Sequence, residues 1–297
     1  MRARLVQQTE NLQRKLRSLD RLGLSDVMFS EQFAGARIFI VGDAADGEAE
    51  GWAFANDVLR IGREFVGSEM VAQIDYDQRR LHPHLSGALD SIDFKTKHDP
   101  SALATSICFG TVLSRSGYSP EESEWLVMGA GELGRRIIGQ AARATRLVHV
   151  VERLADRMEA VCRPGSVVPA DPQLWPDLPI RAVVFAADSG SLTVEIARRL
   201  AANCRVAAVG GPEAGLDHNS AALAALTGAG TEFVPSVLCG SLGLVANLEE
   251  ILGRTMDLPA AGRRLTEVVE AMLDRGRDLK MPFHEVCMGV LGGQIDV

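Results

Sequence analysis

Three glycines and one acid set the chemistry that this sequence can offer. Gly129, Gly131 and Gly134 follow the apolar run Leu126, Val127 and Met128, and Ile137, Ile138 and Ala141 continue at helical spacing. This pattern predicts a buried strand, a tight turn and a helix, carrying a G-x-G-x-x-G fingerprint for a dinucleotide. In such a site the first glycine permits the turn, the second lets the backbone approach a pyrophosphate, and the third lets helix and strand pack closely. The pyrophosphate then lies on the free N–H groups of the first helical turn, here that of Glu132 and Leu133, where the helix dipole favours it.

Residues 147–151 form a second apolar run that ends at Glu152, 23 positions after Gly129. An acid at this spacing accepts hydrogen bonds from the adenosine ribose hydroxyls. It also repels a 2′-phosphate, so NAD is expected over NADP, with Arg153 and Arg157 close enough to soften the preference. Methyltransferases share a glycine loop and a later acid, but they usually carry an acid within the first strand, which here is apolar up to Gly129. A nicotinamide cofactor is the better reading.

Hydride transfer further needs a group that binds or protonates the developing oxygen or nitrogen. Lys95, Lys97 and Asp99 are the candidates, in a polar stretch that runs up to a predicted helix over 101–116. Ala187, Asp188 and Ser189 follow a predicted strand over 182–185, at the end of the strand where ligands of open α/β sheets bind. A helix N-cap explains Asp188 and Ser189 equally well, and Ser241 carries the same ambiguity. His82 and His84 flank Pro83 without an accompanying acid pattern and read as surface residues, so no metal is expected.

The elements that must position these residues alternate between strand and helix. Strands are predicted over 37–41, 70–74, 126–128, 147–151, 167–168, 182–185, 206–209 and 232–237. Helices fall between them, and three more follow over 242–252, 260–279 and 283–291. The alternation predicts a parallel, doubly wound sheet. Residues 3–22 place Leu5, Leu12, Leu16 and Leu19 on one stripe, either docked on its own domain or forming a dimer contact.

The chain has 297 residues, 24% of them charged and 46% hydrophobic, as expected of a globular protein. A net charge of −8 argues against a nucleic-acid partner. Apolar runs are too short for a membrane helix, and the first residues lack the hydrophobic segment of a signal peptide. Cys108, Cys162, Cys204, Cys239 and Cys287 are scattered singly, which fits a reducing cytoplasm.

The fingerprint, the helix feeding it and the C-terminal helices together resemble the amino-acid-dehydrogenase-like superfamily, which includes glutamate, leucine, phenylalanine and valine dehydrogenases and methylene-tetrahydrofolate dehydrogenases. Met281 through Ile295 looks like the closing segment of the amino acid dehydrogenases. Phe233-Val234-Pro235, Gly240 through Gly243 and Asn247 are similar to the glycine turn facing the nicotinamide, and Ala104, Thr105 and Gly110 resemble the bridging helix. The chain lacks the G-G-G-K catalytic segment of the amino acid dehydrogenases. Glu50 through Phe54 also lacks the tyrosine and lysine that folate enzymes place on their first helix.

The resemblance implies three parts: an N-terminal α/β substrate domain (1–103), a Rossmann dinucleotide-binding domain (104–255) and C-terminal helices (256–297) packing back across the cleft. It implies an NAD(P)-dependent oxidoreductase for a small polar, amino-acid- or keto-acid-like substrate, forming a homodimer. A folate-type substrate and a catalytically inactive dinucleotide-binding regulator are the alternatives.

Overall fold

Apolar runs of three to five residues form the strands of the sheet, and all but the fourth are closed by a glycine, a proline or an acid. The computed structural model describes residues 98–187, 191–203, 205–212, 216, 219–251, 255–292 and 294–295. The expected elements over 3–22, 37–41, 49–65 and 70–74 lie outside the described residues.

Six parallel strands make one sheet: β1 Glu124–Met128, β2 Leu147–Val151, β3 Val167–Pro169, β4 Ala182–Phe185, β5 Ala208–Gly210 and β6 Glu232–Val234. Their order is β3-β2-β1-β4-β5-β6. The chain thus winds outward from β1 to β3, returns to the far side of β1, and winds outward again. This reversal opens a crevice between the carboxyl ends of β1 and β4, the place where doubly wound sheets bind dinucleotides. Met128 pairs in register with Val151 on one side and Phe185 on the other, so the three strand ends bordering the crevice are level.

Side chains alternate along the strands and sort into two cores. Trp125, Val127, Val148, Val150, Ala182, Val184 and Val234 face one cluster. It is covered by α1 (His98–Arg115), α2 (Glu132–Ala144), α8 (Leu258–Leu279) and α9 (Phe283–Gly292). Leu126, Val183, Phe185, Val209 and Phe233 face the other, covered by α4 (Val194–Ala202) and α5 (Ser220–Gly228). Strands buried on both faces read as continuous apolar runs rather than as alternations, which is how they appear in the sequence.

The boundaries differ from expectation where local chemistry intervenes. The last strand was expected over 232–237, but β6 stops at Val234. Pro235 lacks the N–H that a ladder needs and instead stands as N-cap of the short helix α6, Ser236–Cys239. A helix expected from 101 already includes His98, with Asp99 in its first turn. The remaining helices are α3 (Ala155–Val161), after β2, and α7 (Ser241–Ile251), after α6. α8 is capped by Asp257, whose carboxylate accepts the Ala260 N–H at 2.9 Å. It lies along α1, with Gly262 allowing Ile107 to approach, while Phe283 at the start of α9 packs near β6.

Candidate functional site

The fingerprint is built where the carboxyl ends of β1 and β4 converge. Gly129 adopts φ +95°, and its N–H donates to the Val151 carbonyl at 2.8 Å, tying the turn to the end of β2. A Cβ on Gly129 would lie 2.9 Å from both the Ala186 oxygen and the Ala187 nitrogen. One on Gly134 would lie 2.1 Å from the Gly129 oxygen. Protein backbone therefore fills the space at both positions. Gly131 is different: a Cβ there would meet a single atom within 4 Å, Nη1 of Arg157 at 3.8 Å. Among the described residues nothing packs closely on this face of the loop, which leaves it open to a ligand. Gly131 is also the N-cap of α2 and offers no side-chain cap, leaving the first-turn N–H groups facing outward.

Glu152 closes the other side of the loop. Its Oε2 accepts the Ala130 N–H at 2.7 Å, and its Oε1 accepts those of Arg153 at 2.8 Å and Leu154 at 3.0 Å. Burial pushes this carboxyl up, but the N–H groups of Leu154, Ala130 and Arg153, and then the charge of Arg157, outweigh it and hold it below its ordinary value. The acid is ionised at neutral pH and aimed at the glycine loop. One lone-pair position remains on Oε2, because a carboxylate can accept about four hydrogen bonds.

The first turn of α2 is fixed by charges. Glu132 is paired with Arg135 and, at 3.0 Å, with Arg136. Burial pushes Glu132 up, and these two guanidinium groups more than reverse it. Arg136 also reaches Asp99 at 2.6 Å. Asp99 therefore lies on α1, exposed, and ties that helix to the glycine helix; it does not stand in a loop ahead of it.

The structure brings Gly129, Gly131, Glu132, Leu133, Gly134, Glu152, Arg153 and the backbone of Ala187 to one end of the sheet. Lys95, Lys97, Asp188 and Ser189 lie outside the described residues. Ser241 does not join the group. It is buried, and its hydroxyl donates to the Leu238 carbonyl at 2.8 Å in the turn that starts α7. Thr105 on the bridging helix is likewise turned inward, donating to the carbonyls of Ser101 at 2.9 Å and Cys239 at 3.3 Å. Two features escaped sequence reasoning: the Ala130–Glu152 bond and the position of Arg157 over Gly131. Both depend on how β2 and α3 lie beside the loop, which the spacing of residues alone does not encode.

No family model matches the sequence, and no curated protein matches it. Solved structures do. L-tryptophan dehydrogenase from Nostoc punctiforme aligns over 98% of this chain and 82% of its own, with TM-score 0.65 and 12% identity. The leucine-bound hetero-hexameric glutamate dehydrogenase from Thermus thermophilus aligns over 86% and 70%, with TM-score 0.63 and 18% identity. A further glutamate dehydrogenase aligns over 95% and 73%, with TM-score 0.63 and 11% identity. The chain has the fold of the amino acid dehydrogenases, as its resemblance to them implied.

Proposed function

We propose that this protein is an NAD(P)-dependent oxidoreductase, transferring a hydride to or from a small polar substrate of the amino-acid or keto-acid class. The observation that carries the reading is the open face of Gly131 beside an ionised Glu152, at the reversal point of the sheet. Gly129 and Gly134 are required by the fold itself. Gly131 is not, so the open space above it supports a ligand role.

The bound cofactor would supply the hydride chemistry, and this chain supplies its seat. First-turn N–H groups of α2 hold the pyrophosphate, and Glu152 Oε2 accepts one ribose hydroxyl. The remaining charge on Glu152 disfavours a 2′-phosphate, so NAD is the preferred form. The acid or base of the reaction is assigned to Lys95 or Lys97. The Asp99–Arg136 pair supports this by holding the start of α1 against the glycine helix, which leaves these lysines two to four residues upstream of that contact.

Calorimetric titration with NADH and NADPH, followed by turnover on a panel of amino and keto acids, tests the proposal. NADH should bind about tenfold tighter or better, as expected for a charge-assisted bond to Glu152. Replacing the catalytic lysine with Met should lower turnover by roughly 10²–10⁴-fold and leave NADH affinity unchanged. Tighter binding of NADPH would overturn the cofactor assignment, and full turnover in both lysine variants would overturn theirs. The missing G-G-G-K segment favours one second reading, a dinucleotide-binding regulator. NADH binding with no turnover on any panel substrate would establish it.

A further inference from the structure

We infer that Arg157 binds the pyrophosphate of the dinucleotide from the side opposite the α2 N-terminus, a role that rests on the dinucleotide reading above. Arg157 lies on α3, which follows the strand that ends in Glu152. Among the described residues, and apart from the loop's own backbone, its Nη1 is the one atom within 4 Å of the position a Gly131 side chain would take, at 3.8 Å. That vacant position is where the loop backbone must be bare for a pyrophosphate to approach. The described side chain nearest that position therefore ends in a guanidinium, which matches a phosphate with two parallel donors.

The charges nearby do not compete for it. Glu152 is the closest acid to consider, but its Oε1 is filled by two backbone N–H groups and its Oε2 is turned to Ala130. Among the described residues no carboxylate comes within ion-pair distance of Arg157, although Glu152 feels its charge. Arg135 and Arg136, on α2 beside the loop, are already engaged with Glu132 and Asp99. Arg153, next to Glu152, is exposed and does not come within 4 Å of the position a Gly131 side chain would take, so Arg157 is the guanidinium set at that position. The seat is thus two-sided: N–H groups from α2 on one side and a full positive charge from α3 on the other.

The role differs from recognition of a 2′-phosphate, and the two are separable with fragments. The experiment titrates wild type, Arg157→Met and Arg157→Lys with NADH, NADPH, ADP-ribose and adenosine, with melting curves as a check on folding. In Arg157→Met, NADH, NADPH and ADP-ribose should all weaken by a common factor of about ten to a hundred, as for loss of a charge-assisted hydrogen-bonded pair. Adenosine, which has no phosphate, should be unaffected, and Arg157→Lys should recover part of the loss. The salt dependence of NADH binding should become shallower, because one charged contact is gone. A loss confined to NADPH would make Arg157 a 2′-phosphate reader and overturn the proposal. So would an equal loss for adenosine, which would show that Arg157 only shapes the loop, and so would no loss at all. If wild type binds neither NADH nor ADP-ribose, the dinucleotide reading itself falls and this role with it. Normal wild-type binding with an unaffected variant overturns the role of Arg157 alone.

Discussion

The two ends of the sheet treat buried acids in opposite ways. At the carboxyl end, Glu152 is held by three backbone N–H groups and kept ionised. At the amino end, Glu124 opens β1 fully inside the protein, paired with the exposed Arg146 and with His149 Nε2 at 2.9 Å. Side chains complete the shell of Glu124 and close it off. Backbone groups hold Glu152 in place and leave part of it, and the bare loop beside it, facing out. The contrast separates a structural ion cluster from a seat for a polar ligand. A cavity of about 370 Å³ opens near the amino end, lined by Arg115, Glu232, Arg277 and Lys280 among others, and contains no fingerprint residue.

The same contrast divides the glycines, and substitutions there give the largest effects. In Gly134→Ala the new Cβ would stand 2.1 Å from the Gly129 oxygen, and backbone cannot swing aside as a flexible side chain would. Overpacking of this kind costs about 1–3 kcal/mol. The variant should melt several degrees lower and lose NADH binding together with stability. A Gly134→Ala protein of unchanged melting point would show that the loop can shift, and the distinction between filled and open glycines would fail.

Gly131→Val should do the reverse. Among the described residues only the end of the Arg157 side chain lies near the new group, so the variant should stay folded and lose no more than about 1 kcal/mol from the poorer helix N-cap. NADH affinity should fall by tenfold or more, since a branched side chain would occupy the pyrophosphate seat. Titration and a melting curve on the same sample decide it: a folded variant with full affinity would mean that the open face is not the phosphate site.

At the amino end the effects should appear in stability alone. Glu124→Gln removes the charge that faces His149 and Arg146, which should cost about 1–2 kcal/mol without changing NADH affinity. Most of that belongs to the half-buried His149 contact, because a pair with an exposed arginine contributes little. Burial, and then the Arg146 charge, hold His149 below its ordinary value of 6.5. The folded protein therefore gives up this proton more readily than the unfolded chain. Stability from this site should be complete above about pH 6.5 and decline as the pH falls through the lowered value. Wild-type melting points that stay level from pH 7 to pH 5 would contradict it.

Much of this was legible in the sequence because long-range order follows from short apolar runs. Residues 182–185 form β4 and 147–151 form β2 as predicted, because each is a short, mostly apolar run between polar or charged segments. That Glu152 stands at the glycine-loop end of the sheet was legible too, since adjacent parallel strands place their carboxyl ends together, although its bond to Ala130 was not. Three other things were not. Asp99 sits in a polar stretch that reads as loop, yet an acid followed by Pro100 suits the first turn of a helix. Ser241 follows a glycine at a strand exit, but its hydroxyl is satisfied by the carbonyl three residues back, a local bond that no spacing reveals. The three fingerprint glycines look equivalent in sequence. Only the positions of Ala186, Arg157 and the Gly129 carbonyl tell which of them the fold requires.

The smallest expected effect belongs to a second acid at the amino end, Glu232, and it has the opposite sign to that of Glu152. Glu232 opens β6, and its Oε2 accepts the Phe283 N–H at 3.2 Å, so it caps the first turn of α9. Burial pushes its carboxyl above the ordinary value of 4.5, and the single N–H bond from Phe283 only partly offsets this. A raised folded value means that the folded protein keeps the proton at pH values where the unfolded chain has lost it. The contribution of Glu232 to stability is then complete below about pH 4.5 and is lost as the pH rises through the raised value. Above that range an ionised carboxylate stays half-buried beside one donor, whereas Glu152 has three. Glu232→Gln keeps an oxygen for Phe283 and removes the charge. Its melting point should exceed that of wild type at pH 7 and converge with it at pH 4. Glu152→Gln should lower the melting point at pH 7, because its amide group cannot accept all three N–H bonds. If both variants move in the same direction at pH 7, Glu232 and Glu152 do not differ as their donors imply, and the three-donor shell that keeps Glu152 ionised for a ligand loses its support.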